Sequence, residues 1–259
     1  MSAAVTLPPA DESSRSRVLV GCAGWSLPRS EQERFPEAGS HLERYASRFR
    51  AVEINSSFHR PHRPATYARW SASVPAGFRF SVKVPKTITH KQRLRDAGDL
   101  IETFLAEASG LGDKLGCLLV QLPPSLSFEG PVASAFFADL RARTAATVAC
   151  EPRHATWFTS EADSLLEELE VARVAADPAC VPDAAEPGGW RGVSYYRLHG
   201  SPRIYYSAYS EEYLAALAEK IRTEAGTGRT VWCIFDNTTL GAAAGNALDL
   251  TSRLARDSG

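Results

Sequence analysis

The chain has 259 residues and a formal net charge of −1, with 44% hydrophobic and 23% charged residues. This length allows one large domain or two small ones, with a full hydrophobic core. The balanced net charge gives no sign of the broad basic field expected of a dedicated nucleic-acid-binding protein, so any anion site must be local.

No uninterrupted apolar segment is long enough to cross a bilayer, and the first residues lack the pattern of a signal peptide. We therefore expect no membrane partner. The five cysteines are widely spaced and form no C-x-x-C motif, which predicts reduced thiols and a cytoplasmic localisation. Residues 1–17, rich in Ser, Pro and Ala, predict a disordered tail before a single domain over residues 18–259.

Eight short apolar runs predict strands, and segments of helical periodicity separate them. The predicted strands are 18–22, 51–55, 78–84, 116–122, a fifth ending at 151, 172–177, 193–199 and 231–237. Strands that alternate with helices indicate a parallel sheet, and eight such units in about 250 residues predict a closed (β/α)8 TIM barrel of the α/β class. The rival is a doubly wound open sheet, but Gly21 and Gly24 match its glycine-rich turn poorly.

The segment of about 178–192 interrupts this alternation. It contains Pro182, Pro187, Gly188 and Gly189, which exclude an ordinary helix. We therefore predict an irregular sixth crossover.

Several predicted strands end in polar side chains that lie on one face of the strand. In a barrel, the functional site lies at the carboxyl ends of the strands, and alternate residues of a strand face opposite sides. The inward set predicted by parity is Glu53, Asn55, Lys83, Gln121, Glu151, Arg153, Asp177, Arg197 and His199, with Asn237 added although its strand is apolar on both parities. The set holds three carboxylates and three cations, so a buried cluster could neutralise itself. The alternative is a purely structural ion-pair network, which is expensive to desolvate.

The chain resembles the domain of unknown function 72 (YecE-like) family from about Val18 to Leu254. The matching stretches are VGCAGW at 20–25, VEINSSF at 52–58, FSVKVP at 80–85, ITH at 88–90, KLG at 114–116, QLPP at 121–124, EPRH at 151–154, WF at 157–158, RLHG at 197–200, DN at 236–237 and NA at 246–247. The resemblance implies a TIM barrel and no particular activity. His59, Pro152 and Ala155 depart from the pattern of the family, so the rim of the site and its preference for a ligand can differ from those of relatives.

The first functional hypothesis is a site for a phosphate-bearing or other anionic ligand. Loops after the seventh and eighth strands of barrels often bind phosphate with free amides at a helix start, and here they contain Arg197 and Gly241. Glu53, Lys83, Glu151 and His199 are the predicted acid–base or catalytic groups, for a hydrolase or an isomerase. The predicted ligand contacts are Asn55, His90, Gln121, Arg153, Asp177, Arg197, Asn237 and Gly241. Alternatively, Gly241 only lets its helix pack closely.

The second hypothesis is a divalent-metal-dependent phosphodiester hydrolase of the nuclease-like barrel type. Glu53, Glu151, Asp177 and His199 are suitable ligand types, but three nearby cations compete for the carboxylates and no motif such as HExxH is present. We therefore assign no metal and no other cofactor. The third hypothesis is a non-catalytic protein that binds a metabolite or a nucleic-acid end. The sequence does not determine the oligomeric state.

Overall fold

A computed structural model of the chain describes residues 17–256. Apart from Arg17, the predicted N-terminal tail lies outside the described residues. The strands are β1 (Val18–Cys22), β2 (Ala51–Ile54), β3 (Arg79–Lys83), β4 (Leu115–Gln121), β5 (Thr147–Glu151), β6 (Val171–Arg173), β7 (Ala175–Asp177), β8 (Gly188–Gly189), β9 (Val193–Leu198) and β10 (Thr230–Phe235). The α-helices are α1 (His41–Ala46), α2 (Pro64–Ala72), α3 (Gly98–Ala108), α4 (Gly130–Arg143), α5 (Ser160–Glu168), α6 (Glu211–Gly226) and α7 (Ala242–Arg256).

Short helices occupy several of the connections. The 3-10 helices are Arg29–Arg34, Ser56–Phe58, Ser109–Lys114, Ala155–Trp157 and Pro182–Ala185, and a single π-helical turn covers Thr87–Lys91. The turns at 56–58, 87–91 and 155–157 directly follow β2, β3 and β5, so they border the carboxyl ends of those strands.

The strands form two sheets with mixed α/β connections. One sheet has the order β1-β10-β9-β7 and the other β2-β3-β4-β5-β6-β8, and all pairs are parallel except β6 with β8. The predicted mixed α/β fold with parallel strands is therefore confirmed. A closed ring of eight strands is not detected among residues 17–256, because their hydrogen-bonded ladder is divided in two.

The division falls at two edges. The predicted sixth strand breaks at Val174, so β6 pairs with β5 in one sheet and β7 pairs with β9 in the other. At the opposite edge, β1 and β2 form no continuous ladder among the described residues. An isolated β-bridge between Ala23 and Glu53 joins them instead. The sheets thus adjoin at both edges.

Tyr45 of α1 explains the missing ladder between β1 and β2. Its buried hydroxyl accepts from the backbone N–H of Cys22 at 2.7 Å and donates to the carbonyl of Ala51 at 2.9 Å. Nearby, a Cβ added to Gly21 would lie 2.1 Å from the oxygen of Ala51, so only glycine allows the strands to approach here. The phenol therefore replaces a backbone pair across this seam.

Removing this hydroxyl is expected to destabilise the fold. Tyr45→Phe leaves one buried N–H and one buried C=O unpaired, and such groups cost about 1–3 kcal/mol each, so we expect a loss of about 2–6 kcal/mol. Urea unfolding followed by tryptophan fluorescence measures the loss. Tyr206→Phe is the matched control, since no described residue bonds the Tyr206 hydroxyl. Equal stability of the two variants would show that the seam does not depend on Tyr45.

The sixth crossover contains no α-helix, in agreement with its proline and glycine content. Arg173, nearly buried at the end of β6, holds the segment by donating to the Asp163 carboxylate at 2.7 Å and to the Asp183 carbonyl at 2.9 Å. A Cβ on Gly188 would lie 2.3 Å from the Arg173 guanidinium, so a larger residue here would displace the guanidinium from its position. The crossover is therefore an ordered loop built around one arginine.

A hollow of about 250 Å³ lies where the other crossovers have a helix. It is bordered by β7, β9, α6 and the crossover, and small side chains such as Ala175, Ala185 and Ala216 form much of its wall. The ion pair between Lys220 and Glu186 lies at its edge.

Two apolar clusters make up the core. The larger one lies between helices and strands. The smaller one is contributed by inward residues of strands from both sheets, namely Leu19, Ala51, Cys117, Leu119, Ala149, Ala172, Val174, Val193, Tyr195, Trp232 and Ile234. All five cysteines are free; four are buried, whereas Cys180 is exposed. No helix among residues 17–256 has the length and apolar character needed to span a membrane.

Candidate functional site

A buried group of charged residues lies at the carboxyl ends of four strands. We call Glu53, Glu151, Arg197, His199 and Asp236 the charge cluster; each is at most 4% exposed. Each member lies on the inward face of its strand, two or four residues after a member of the smaller apolar cluster. These preceding residues are Ala51, Ala149, Tyr195 and Ile234. The inner core therefore ends in a polar layer at this edge of the sheets.

Arg197 is the centre of the charge cluster. Its Nε and Nη2 donate to the two oxygens of Glu53 at 2.9 and 2.7 Å, and Nη1 donates to Glu151 at 3.2 Å. Nη2 also lies 3.0 Å from Asp236. The hydroxyl of Tyr195 donates to Glu53 at 3.2 Å. All three guanidinium nitrogens of Arg197 are thus engaged by carboxylates.

His199 connects the carboxylates to Arg153. Its Nδ1 lies 3.0 Å from Asp236, and its Nε2 lies 2.8 Å from Glu151 and 2.7 Å from Nη2 of Arg153. Two protonation states fit this geometry. With a proton on Nδ1 alone, the ring donates to Asp236 and accepts from Arg153. With both nitrogens protonated, it donates to both carboxylates. A proton gained or lost at His199 therefore changes the partner of Nε2.

The charges in the cluster stabilise one another against burial. Burial alone would raise the pKa of Glu151, but Arg197, Arg153 and His199 outweigh it and hold that pKa far below its ordinary value. Burial likewise opposes ionisation of Asp236, whose pKa is nevertheless lowered by Arg197 and His199. Burial would lower the pKa of Arg197, but Asp236, Glu53 and Glu151 raise it well above its ordinary value. Glu151 and Asp236 are therefore carboxylates at neutral pH.

Arg153 and Lys83 lie at the border between the charge cluster and the solvent. The side chain of Arg153 is 19% exposed and its Nη2 contacts Glu151 at 2.6 Å, whereas its buried Nε has no hydrogen-bond partner among residues 17–256. The Nζ of Lys83 lies 4.2 Å from the centroid of the Phe58 ring. Tyr205, an exposed residue, places its ring perpendicular to His199 at 5.8 Å.

The other predicted residues of the mouth are placed less centrally. Asn55 and Gln121 are half-buried at the ends of β2 and β4. His90 lies on the π-helical turn, with its ring 5.0 Å from that of Phe58. Asn237 donates to Asn246 at 3.0 Å. The carboxamide oxygens of Asn55 and Asn237 are buried without a hydrogen bond from any described residue. Buried polar atoms of this kind are uncommon in folded proteins and are compatible with contact to a ligand.

The predicted inward position of Asp177 is wrong. Asp177 pairs with Leu198 in the ladder between β7 and β9, whereas Ala176 pairs with Arg197 and so shares its face. The Asp177 carboxylate accepts from the Tyr209 hydroxyl at 2.8 Å and borders the hollow beside α6. The parity fails because the chain from β6 to β7 places Ala172 and Val174 inward, so residues 173, 175 and 177 face outward.

The predicted anion contacts of Gly241 and Arg197 also need correction. The N–H of Gly241 donates to the Thr238 carbonyl at 3.1 Å, and a Cβ at this position would lie 2.5 Å from the side chain of Pro28. Gly241, at a φ of +84°, therefore serves close packing. Arg197 is fully buried and all three of its guanidinium nitrogens contact carboxylates, so an external anion would have to displace one of them.

Asp236 is the cluster member that the parity argument missed. Ile234 pairs with Arg197 and Phe235 with Leu198, so Asp236 follows beside His199. Because β10 is buried on both faces, its hydropathy does not indicate which residues point inward. The available signal was the position itself, a carboxylate directly after a fully apolar strand.

The metal hypothesis loses one of its four proposed ligands, since Asp177 faces away from Glu53, Glu151 and His199. Within residues 17–256, no group of three or more His, Cys, Asp and Glu side chains is arranged to hold a metal ion. The remaining acidic groups already bind Arg197.

Comparisons with known proteins agree on the family and the fold. The family described as "Protein of unknown function DUF72" matches residues 19–259. The UPF0759 protein YecE of Escherichia coli K12 is 34% identical over 107 residues, which are 41% of this chain and only 38% of that protein.

Solved structures extend the likeness to most of the chain. A DUF72 family protein from Thermotoga maritima has a TM-score of 0.74 at 25% identity, with 92% of this chain and 98% of that chain covered. One from Enterococcus faecalis has a TM-score of 0.75 at 21% identity, covering 92% and 95%. A fusion protein with a xylose isomerase-like TIM barrel has a TM-score of 0.51 at 13% identity, covering 92% of this chain and 41% of that one, which shows similarity of fold alone.

Proposed function

Because the chain belongs to the DUF72 family, whose description names no activity, we propose a function from the site itself: the protein binds a small phosphate-bearing or other anionic ligand above the charge cluster and acts on it by proton transfer. The family match covers residues 19–259, so every residue of the site lies within the matched region.

Arg153 is the observation that carries the proposal. Of the two arginines at the site, Arg197 has every nitrogen engaged by carboxylates, whereas Arg153 uses Nη2 alone. The Nε of Arg153 is a buried donor without a partner in the described part of the chain. A guanidinium with unused donors in fixed geometry matches the oxygens of a phosphate or carboxylate. Arg153 therefore supplies the anion contact that the sequence also assigned to Arg197.

The remaining cluster members act on or through their neighbours. Arg197 and Glu53 are positioning residues, because they are buried below His199 and engage each other. His199 carries the proton, since its partner at Nε2 changes with its protonation. Glu151 stays ionised at neutral pH and orients both His199 and Arg153. Binding of an anion to Arg153 would compete with Glu151 for this guanidinium and so link ligand binding to the His199 proton.

We infer that the two sheets are parts of one eight-stranded barrel. This inference is supported by two observations: the sheets adjoin at both edges, and strands of both sheets contribute to the small apolar cluster. In such a barrel, the charge cluster lies at the carboxyl-terminal mouth, where barrel enzymes bind their ligands.

Phosphate titration by calorimetry tests the proposal. We expect wild type to bind inorganic phosphate or a small phosphate ester at millimolar concentrations or below. Arg153→Gln should bind about 10- to 100-fold more weakly, because a hydrogen bond to a charged group contributes about 1.5–3 kcal/mol. Arg143→Gln is the matched control, since Arg143 pairs with Asp139 at the far end of α4. Equal binding by Arg153→Gln and wild type, or no binding by wild type, would contradict the proposal.

A nucleic-acid end is a second candidate, and a charge asymmetry favours it. Residues 54–95 contain nine Lys and Arg residues and no Asp or Glu, although the whole chain has a net charge of −1. Several of these cations, including Arg60, Arg63 and Lys91, are exposed on the loops after β2 and β3. The same titration with a 5′-phosphorylated oligonucleotide distinguishes the candidates. A nucleic-acid end predicts tighter binding than inorganic phosphate and an affinity that falls steeply with salt.

A further inference from the structure

Lys83 is a buried ammonium group without an anionic partner. It ends β3, is 6% exposed and has its Nζ over the Phe58 ring at 4.2 Å. No hydrogen bond or ion pair joins its Nζ to another residue of the range 17–256. The carboxylates that could neutralise it are engaged by Arg197, so the amine lies beside the charge cluster without being tied to it.

The environment favours the neutral amine. Burial and the positive charge of Arg197 lower the pKa of Lys83 from 10.5 to about 8, although Glu53, Glu151 and Asp236 oppose this shift. About half of such side chains are uncharged at pH 8, compared with well under 1% at the ordinary pKa. An uncharged primary amine is a nucleophile, whereas an ammonium group is not.

The choice of lysine at this position is itself informative. The chain contains five lysines and 24 arginines, so arginine is its usual cation. Lys114 donates to two backbone carbonyls and Lys220 pairs with Glu186, while Lys86 and Lys91 are half-buried or exposed. Lys83 alone among the five is buried without a partner in the described chain. A guanidinium would supply charge at this place, but only an amine can form an imine.

A group suited to proton transfer packs against the same aromatic ring as the amine. His90 stands with its ring 5.0 Å from the Phe58 ring that underlies Lys83. Its Nδ1 lies 2.8 Å from the Thr89 hydroxyl, which leaves Nε2 without a partner among the described residues. Burial, Lys83 and Lys86 lower the pKa of His90, so its ring is neutral near pH 7 and able to accept a proton.

We propose that Lys83 forms an imine with an aldehyde or ketone whose phosphate or carboxylate group is held by Arg153. The inference rests on the proposed anion site, which brings the carbonyl carbon to Nζ. The nitrogen lone pair forms the C–N bond while the carbonyl π pair moves to oxygen. The nitrogen then loses a proton to His90, which passes it to the oxygen to give a carbinolamine. The second N–H proton reaches the hydroxyl oxygen by the same route, the nitrogen lone pair forms the C=N bond, and the C–O bond breaks to release water. Amine and carbonyl thus give imine and water, and no oxidant or reductant is needed.

Reductive trapping tests the proposal. The full chain is incubated with glyceraldehyde 3-phosphate and, separately, with pyruvate, then reduced with sodium borohydride and mapped by mass spectrometry. We expect an adduct on Lys83 with at least one probe, formed at least tenfold faster than on any other lysine. The rate of trapping should be half-maximal near pH 8. Labelling that is spread evenly over the five lysines, or an unlabelled Lys83, would overturn the proposal.

Variants and a neutral probe separate this inference from the proposed function. Lys83→Arg keeps a cation and Lys83→Met removes it; both should lose the adduct, with thermal melts as folding controls. Lys86→Met, on the loop after β3, should keep it. Phosphate binding by calorimetry without trapping at Lys83 would overturn the imine and leave the anion site intact. Trapping of uncharged glycolaldehyde as fast as the phosphate-bearing probe would overturn the requirement for an anion.

Discussion

Arg197→Met is expected to destabilise the folded chain by about 3–5 kcal/mol or more, because removing one partner of a buried ion pair leaves the other charges uncompensated. Here one guanidinium pairs with three carboxylates, two of which are fully buried. Since whole domains are stabilised by about 5–15 kcal/mol, the variant should unfold at much lower urea or fail to fold at 37 °C. Urea unfolding followed by circular dichroism measures the loss.

Two companion variants identify the cause. Arg197→Lys keeps the charge and loses the two parallel hydrogen bonds to Glu53, so we expect a smaller loss, about 1–3 kcal/mol. Glu53→Gln combined with Arg197→Met should be less destabilised than the sum of the single variants, because the pair is coupled. If Arg197→Met were within 1 kcal/mol of wild type, the charge cluster would not be desolvated in solution.

Acid should unfold the protein through the same cluster. The pKa values of Glu151 and Asp236 are depressed in the folded chain, so these groups take up protons in the unfolded chain first as the pH falls. Their stabilisation is complete above the unfolded pKa of about 4–4.5 and is lost progressively below it. In the pH range where both groups are protonated in the unfolded chain but still ionised in the folded chain, the free energy of unfolding should fall by about 2.7 kcal/mol for each unit by which the pH is lowered.

Urea unfolding between pH 2.5 and 7 measures this slope. Glu151→Gln should be less stable than wild type at pH 7, but its slope below pH 4.5 should be smaller by about 1.4 kcal/mol per pH unit, since one linked proton is absent. Glu37→Gln is the control, because Glu37 is an exposed carboxylate outside the charge cluster. A slope unchanged in Glu151→Gln would mean that the acid sensitivity arises elsewhere.

Sequence patterns predict which residues of a strand point inward only where polar and apolar residues alternate along that strand. The ends of β5 and β9 alternate in this way, and Glu151 and Arg197 do meet in the structure. The prediction fails for Asp177, because Ala172, Val174 and Ala176 occupy the inward face, so residue 177 faces outward. The parity argument is silent on Asp236, because every residue of β10 from Val231 onward is buried.

Other features depend on contacts between residues that are distant in sequence. The hydroxyl of Tyr45 reaches two strands, and nothing in the periodicity of α1 marks it as different from a core aromatic residue. The engagement of Arg197 by three carboxylates from three strands likewise needs coordinates, since parity alone suggests that it is available to a ligand. Composition nevertheless holds a usable signal, because five lysines among 29 basic residues make Lys83 conspicuous.

The crossover without a helix divides the molecule into regions of unequal local stability. Local opening is easiest where few apolar contacts cover a strand. The outer face of β7 borders a hollow of about 250 Å³, whereas four of the five residues of β5 are buried and no such hollow borders them. Backbone amides of β7 should therefore exchange with deuterium well before those of β5. Arg153 extends from the slowly exchanging β5, whereas His199 follows β9, which pairs with β7. The contact between Arg153 and the Nε2 atom of His199 therefore joins a slowly exchanging part of the mouth to a part beside the strand that opens more easily.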